Sequence, residues 1–247
     1  MRIGFLADLH ANREAVEACL SALEAQGCQQ WVFLGDLVGY GADPGWVIDA
    51  VRARVANGAS AVLGNHDQAV FSAPPPNAMN ADTLASIAWT RSRLDGPQTA
   101  FLSDLPLRIE DHDRLYVHAN AHAPERWAYL SNRLAVAQSL SAVSHWLTFC
   151  GHVHEPALWH LQDAGAVHFS PTADVAIPLS TRRRWLAIPG SCGQPRDGNP
   201  AAACAWFDDE SRRLTFLRVP YNHELAASKI VAAGLPPAFA ERLRNGA

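Results

Sequence analysis

No stretch of this sequence stays apolar for the ~20 residues that a membrane-spanning helix needs. Its opening residues, MRIGFLADLHAN, carry too few apolar side chains before Asp8 and His10 to form the core of a secretory signal. Positive charge is scarce as well. Lys and Arg number 20 against 24 Asp and Glu, a formal net charge of −4. That balance argues against the broad cationic footprint of an extended nucleic-acid binder. The one dense basic run, Arg182-Arg183-Arg184, sits beside Trp185 and reads as a solvated turn. Cysteine is sparse too. Cys19, Cys28, Cys150, Cys192 and Cys204 are odd in number and show no Cys-x-x-Cys spacing. Neither a disulfide framework nor a cysteine zinc site is indicated, and a reducing cytoplasm is the simpler setting.

What is present is a globular composition: 247 residues, 49% hydrophobic and 18% charged, enough to bury a sizeable core. Strand and helix signals alternate at the start. Residues 2–7 (RIGFLA) form a short apolar run of the buried-strand type. In residues 12–27, Ala15, Cys19, Ala22 and Leu23 fall on one helical face before Gly27. A second strand, 31–36, precedes a helix that begins near Pro44, and a third strand is expected over 60–67. This β-α-β-α-β order implies a parallel sheet. Three consecutive prolines make 71–80 a loop, and a helix containing Trp89 follows. Residues 107–120 read as a hairpin turning at Asp111-His112-Asp113, and a helical segment near 132–145 leads into the strand WLTFCG. Short strands with Gly, Pro and Asp signals fill most of the rest. The best partition is a single domain over 1–247, with a final helix (about 222–247) appended to it.

The strands of the first half end alike: in Asp8-Leu9-His10, in Gly35-Asp36, and in Gly64-Asn65-His66-Asp67. In a parallel α/β sheet the carboxyl ends of strands line a shared crevice where ligands bind. His118 ends the hairpin strand RLYVH, and His152 and His154 follow LTFC. Each piece alone has an ordinary reading. Asp is a common helix cap, Gly-Asn favours a turn, and a lone histidine is usually satisfied in a core or on a surface. On an extended backbone His152 and His154 would share a face, so they could clasp one metal or simply be two half-buried rings. Their joint occurrence, in order and each at a strand end, is what argues for one convergent site.

As an ordered set, DLHAN, GD, GNHD, a later VH and GHVH resemble the five signature blocks of the calcineurin-like metallophosphoesterases. The C-terminal PGSCGQPRDGNPAAACAWFD and VPYNHE resemble the small bacterial and archaeal phosphodiesterase-like branch of that superfamily. The resemblance implies an α/β fold, a four-layer α/β/β/α sandwich of two mixed sheets with the site at the strand ends. It implies two divalent transition metal ions, of which Mn, Fe, Zn, Ni and Co all suit a mixed His and carboxylate site. One ion would take Asp8, His10 and His154, the other Asn65, His118 and His152, with Asp36 bridging both. On that assignment His152 and His154 serve different ions. His66 would be the general acid for the leaving oxygen, assisting attack by a metal-bound hydroxide. Asp67 would orient His66 or close the turn.

The second block departs from the G-D-x-V-D-R-G of protein phosphatases and their dinucleoside tetraphosphatase relatives. Here it is GDLVGYG, with Gly39 and Tyr40 where that pattern has its second acid and its arginine. Tyr40 and Arg196 are therefore the candidate substrate-binding residues, Arg196 as a substitute phosphate grip unless Asp197 pairs with it. Asn120 and His122 are further candidates for the pocket wall. The expected activity is binuclear metal-dependent hydrolysis of phosphodiester or nucleotide-like substrates. The alternatives are a dinucleoside polyphosphate hydrolase, a phosphomonoesterase or protein phosphatase, and a catalytically silent metal-binding scaffold. The expected partner is a small phosphate ester; no membrane is expected, and a homo-oligomer is left open.

Overall fold

The computed structural model describes the whole chain, Met1–Ala247. Two six-stranded mixed sheets pack face to face. The first has the order β3-β2-β1-β11-β12-β9 and the second β4-β5-β6-β10-β7-β8. In the first sheet β1 (Arg2–Leu6), β2 (Gln30–Phe33) and β3 (Ser60–Ala61) run parallel, as the β-α-β-α-β order requires. Beside β1 runs antiparallel β11 (Ala202–Asp208), followed by β12 (Arg213–Val219) and the two-residue β9 (Ile177–Pro178). In the second sheet the hairpin of β4 (Arg108–Asp111) and β5 (Arg114–Val117) leads to β6 (Leu147–Phe149), parallel to β5. β10 (Trp185–Ile188), β7 (Ala157–Gln162) and β8 (Gly165–Phe169) complete it.

Side-chain alternation builds the layers. Ile3 and Phe5 of β1 face the second sheet and meet Tyr116 and Phe149 there; the Phe5 and Phe149 rings stack with centroids 3.7 Å apart. Leu6 faces the other way, into a core formed with α1 (Arg13–Ala25), α2 (Pro44–Val55) and α5 (Gly96–Ser103). On the outer face of the second sheet, Val136 and Leu140 of α6 (Arg133–Ser141) cover Leu115, Val117 and Leu186. The result is the four-layer α/β/β/α sandwich. Arg184 is not solvated like its neighbours: its guanidinium donates to the carbonyls of Leu140 and Val143 and closes the C-terminal end of α6. All five cysteines are buried and free. No helix is long and apolar enough to cross a membrane.

Two expectations need correction. The third strand stops after Ala61, and Asn65 opens α3 (Asn65–Phe71) instead of extending a strand to 67. Asp67, at the third helical position, accepts from Gly64 N and so initiates the helix, a device that the apolar run before it conceals. The final helix is two: α7 (His223–Ala232) and α8 (Pro237–Asn245). Gly234, at φ +71°, and the Pro236-Pro237 pair end the first and open the second. This hairpin makes its own small core from Ala227, Ile230, Phe239 and Leu243, and packs it against Tyr40. The remaining helix, α4 (Ala81–Arg93), contains Trp89.

Candidate metal centre and active site

The carboxyl ends of β1, β2 and β3 meet those of β5 and β6 at one edge of the two sheets. The loops there are tied together through the backbone: Asp8 N donates to Gly35 O (3.1 Å), and His10 N to Asp36 O (3.0 Å). Across the sheets, His152 N donates to both carboxylate oxygens of Asp8 at 3.0 Å. Five of the gathered side chains sit on left-handed backbone: Asp8, His10, Asp36, His152 and His154, with φ from 47° to 68°. Left-handed conformation costs a residue with a Cβ roughly 1–2 kcal/mol. Such strain persists where tight packing enforces it, most often at functional sites.

Gly64 explains how closely the loops approach. A Cβ there would lie 2.1 Å from Asp36 N. The bare Gly64 also cannot cap α3 with a side chain. Asp36 does so from the neighbouring loop, its Oδ1 accepting from His66 N at 2.8 Å.

The imidazoles are held by their far nitrogens. His10 Nδ1 donates to Val38 O (3.1 Å), His154 Nδ1 to Gln194 O (2.6 Å), His118 Nδ1 to Leu34 O (2.7 Å) and His152 Nε2 to Trp127 O (2.9 Å). His10, His154 and His152 therefore each present a lone pair inward, and His118 turns its Nε2 to the same centre; a second partner that fixes the ring in this way is typical of a metal-binding histidine. His10 Nε2 and His154 Nε2 then face each other at 3.2 Å with no proton between them. His118 Nε2 and His152 Nδ1 stand equally close, with Asn65 Oδ1 3.2 Å from His118 Nε2. Two lone pairs at that distance repel unless a cation or a proton lies between them.

Electrostatics point the same way. Burial holds His10 and His154 well below the ordinary histidine range, and His152 down to about 3, so all three are neutral. Burial raises Asp8 to about 7, with Asp36 adding to the effect. Burial would lower His118, but the Asp36 carboxylate, 3.4 Å away, outweighs it and lifts His118 to about 9. Three groups of donors could each hold a metal ion: Asp8, His10 and His154; Asp36, His118 and His152; and His10, Asp36 and His66. The mixed imidazole and carboxylate chemistry suits divalent transition metals. Asp36 belongs to two of the groups; its Oδ2 is 3.4 Å from His118 Nε2 and 3.8 Å from His10 Nε2.

His66 stands apart from the other imidazoles. Its Nε2 is 4.0 Å from Asp36 Oδ2, its Nδ1 has no partner, and burial lowers its pKa. Asp67 does not reach it. Its carboxylate accepts from Val38 N and Gly64 N, both at 3.1 Å, so of its two expected roles the hydrogen bonds match closing the turn. Gly39 makes room for His66: a Cβ there would be 2.4 Å from His66 Nδ1, and its φ is +87°. Tyr40 lies against the rings of both His10 and His66, each centroid 4.5 Å away.

Arg196 Nη2 reaches Tyr40 OH (3.4 Å) and Gln194 Oε1 (3.3 Å). Asp197 does not pair with it but with Arg218. Asn120 is committed to its own loop, accepting from Ala123 N and donating to carbonyls of Ala123 and Ala128. Tyr129, which carries no sequence signal, is half exposed and stacks on His152 with centroids 3.9 Å apart. Two openings flank the cluster. One of about 640 Å³ is bordered by Asn65, Pro74, Arg126, Tyr129 and His152; one of about 260 Å³ by Tyr40, His66, Arg196 and Arg242.

Comparison with known proteins agrees with this geometry. Residues 1–211 match the calcineurin-like phosphoesterase superfamily domain. An uncharacterized protein of Methanocaldococcus jannaschii is 32% identical over 99% of this chain and 98% of its own. The crystal structure of a metallophosphoesterase from Sphaerobacter thermophilus is 33% identical, covers 100% of this chain and 99% of its own, and superposes with a TM-score of 0.89. A hypothetical protein from Pyrococcus horikoshii shares the fold (TM-score 0.79) at 19% identity, over 100% of this chain and 98% of its own. With its donors gathered at the strand ends and its matches spanning the sandwich, the chain belongs to the calcineurin-like phosphoesterase superfamily.

Proposed function

We propose that the protein is a binuclear metal-dependent phosphoesterase acting on phosphodiester or nucleotide-like substrates. The observation that carries the reading is the pair of facing imidazole contacts, His10 with His154 and His118 with His152, with one carboxylate, Asp36, beside both. On this reading Asp8, His10 and His154 hold one divalent ion, and Asn65, His118 and His152 hold the other. Asp36 serves both. The ions, when bound, supply positive charge for the phosphoryl oxygens and activate water.

The chain's own residues do the rest. Asn65 contributes a neutral oxygen, so the site keeps net positive charge for an anionic substrate. His66 lies beyond the ligands with an unpartnered Nδ1, and gives its proton to the leaving oxygen once the anionic substrate beside it favours the protonated ring. Tyr40 packs against His66 and keeps that ring in place, while Arg196 takes a phosphoryl oxygen. The absence of the second acid and arginine from the second block supports small substrates over phosphoproteins. Tyr129 offers an aromatic face beside the larger opening, which supports a nucleotide-like group.

The test is a screen of the Mn²⁺-reconstituted protein over bis(p-nitrophenyl) phosphate, monoesters, cyclic nucleotides, dinucleoside polyphosphates and phosphopeptides. Turnover of diesters or nucleotides ahead of phosphopeptides is expected. A metal-loaded protein that turns over none of them would be a binding scaffold instead.

A further inference from the structure

We propose that Arg242, on the C-terminal helix α8, is a specificity-determining residue that joins Arg196 in gripping a leaving group with a phosphate of its own. The inference rests on the phosphoesterase reading above and names the substrate class for that site. Arg242 lies outside residues 1–211, the span matched by the superfamily domain. Nothing in the sequence around it resembles a motif.

A chain of ring contacts carries α8 to the site. Tyr40 lies against His66 with centroids 4.5 Å apart, and Phe239 lies against Tyr40 at 4.7 Å. Arg242 follows Phe239 by three residues, on the same helical face, and its guanidinium carbon stands 5.7 Å from the Phe239 ring. The end of α8 is fixed as well, since Gly198 N donates to Gly246 O at 2.7 Å, two residues beyond Arg196. Arg242 and Arg196 thus border one opening together with His66 and Tyr40.

Both arginines lack a carboxylate partner. Asp197 goes to Arg218, and the acids near α8, Glu224 and Glu241, go to Arg244. Arg196 Nε is buried without a hydrogen-bond partner. Two guanidiniums without a carboxylate partner beside one opening suit an anion, and their planar forks match phosphate oxygens. The opening is on the side of His66, where the leaving group departs. One arginine is enough for the phosphoryl group under attack; the second implies further negative charge on the departing piece. A phosphoanhydride between two organic phosphates has that form.

The reaction consumes one water. Its oxygen bonds to phosphorus, the bond from phosphorus to the bridging oxygen breaks, and that oxygen keeps the electron pair and takes the proton from His66. ADP-ribose would give AMP and ribose 5-phosphate, either of which is an anionic leaving group. Bis(p-nitrophenyl) phosphate releases p-nitrophenol, which carries no phosphate.

The experiment measures kcat/KM for both substrates on the Mn²⁺-loaded full chain. Arg242→Ala should lower kcat/KM on ADP-ribose by about tenfold or more, the loss of one charge-assisted contact, and on bis(p-nitrophenyl) phosphate by less than about threefold. Arg242→Lys should recover part of the loss, and Arg244→Ala, on the same helix but paired, should alter neither substrate. Calorimetric binding of inorganic pyrophosphate should weaken about tenfold in Arg242→Ala. If that variant folds poorly, Arg242→Gln keeps the stem over Phe239 and answers the same question. Equal loss on both substrates, or loss on neither, would overturn the assignment. So would wild-type protein that cleaves bis(p-nitrophenyl) phosphate but not ADP-ribose, leaving the phosphoesterase reading intact. Failure of wild type on both substrates would instead defeat the reading beneath it.

Discussion

Asp36→Asn separates the proposed shared ligand, Asp36, from the proposed general acid, His66. The carboxylate is 1% exposed, and its two oxygens have different duties. Oδ1 accepts from His66 N at 2.8 Å, and an amide oxygen can keep that bond. Oδ2 stands 3.4 Å from His118 Nε2 and 3.8 Å from His10 Nε2, at the junction of the two donor groups. Replacing Oδ2 by an amide nitrogen removes a unit of negative charge and turns N–H groups toward positions where cations are to sit. A charged contact contributes about 1.5–3 kcal/mol, so each ion's affinity should fall roughly 10- to 100-fold. The fold should survive without metal, because His118 no longer faces a carboxylate and gives up its proton. The assay is calorimetric titration of metal-free protein with Mn²⁺. Asp36→Asn with wild-type affinity for both ions would refute the reasoning; so would loss of only one ion, since Asp36 would then not be shared.

The other variants probe different links. His66→Ala should keep both ions yet lose 10²-fold or more in kcat, by direct metal analysis and initial rates; metal loss equal to that of Asp36→Asn would make His66 a ligand. Gly39→Ala, whose Cβ would press on His66 Nδ1 from a left-handed backbone, should lower the thermal midpoint by the equivalent of about 1–3 kcal/mol and cut kcat. Wild-type stability and kcat in that variant would contradict the packing described. Lys229 anchors α7 to Glu14 and, at 2.8 Å, to Asp43. Burial lowers its pKa, but those two partners outweigh burial and raise it above the ordinary 10.5. Its stabilisation is therefore complete below pH 10.5 and is lost as pH rises through the higher folded value. Lys229→Met should cost about 0.5–1 kcal/mol at pH 8, discounted for the exposed ion pair. The difference from wild type should close at high pH, and a pH-independent gap would assign the effect to packing.

The gathering of these side chains was legible because they lie in the loops that follow the strands, or, for Asn65, at the start of the helix after one, and parallel strands deliver the residues after them to one edge. His118 and the histidines of CGHVHEP needed no tertiary information beyond that rule. The two histidines are not side by side as an extended chain would hold them, for each sits on left-handed backbone at φ 68°. His152 turns to His118 and His154 to His10. Asp67 was ambiguous for a local reason: the side chain expected either to orient His66 or to close the turn is used by the turn that starts α3. Tyr129 and Arg242 were illegible for another. A single Tyr in a loop and a single Arg on a last helix carry no pattern, and their place at the site arises from the packing of remote elements. The three-strand start, the hairpin and the later antiparallel strands followed from apolar runs and turn residues. Where helix α3 replaced the end of a strand, the capping interaction was hidden in Gly-Asn-His-Asp, four residues that also read as a turn.

The most direct test of the central claim is metal stoichiometry on the same preparation whose turnover of bis(p-nitrophenyl) phosphate is measured. After chelation and reconstitution with Mn²⁺, the account predicts two ions per chain and turnover that rises with their occupancy. A chain that binds no ion and turns over no substrate would contradict it.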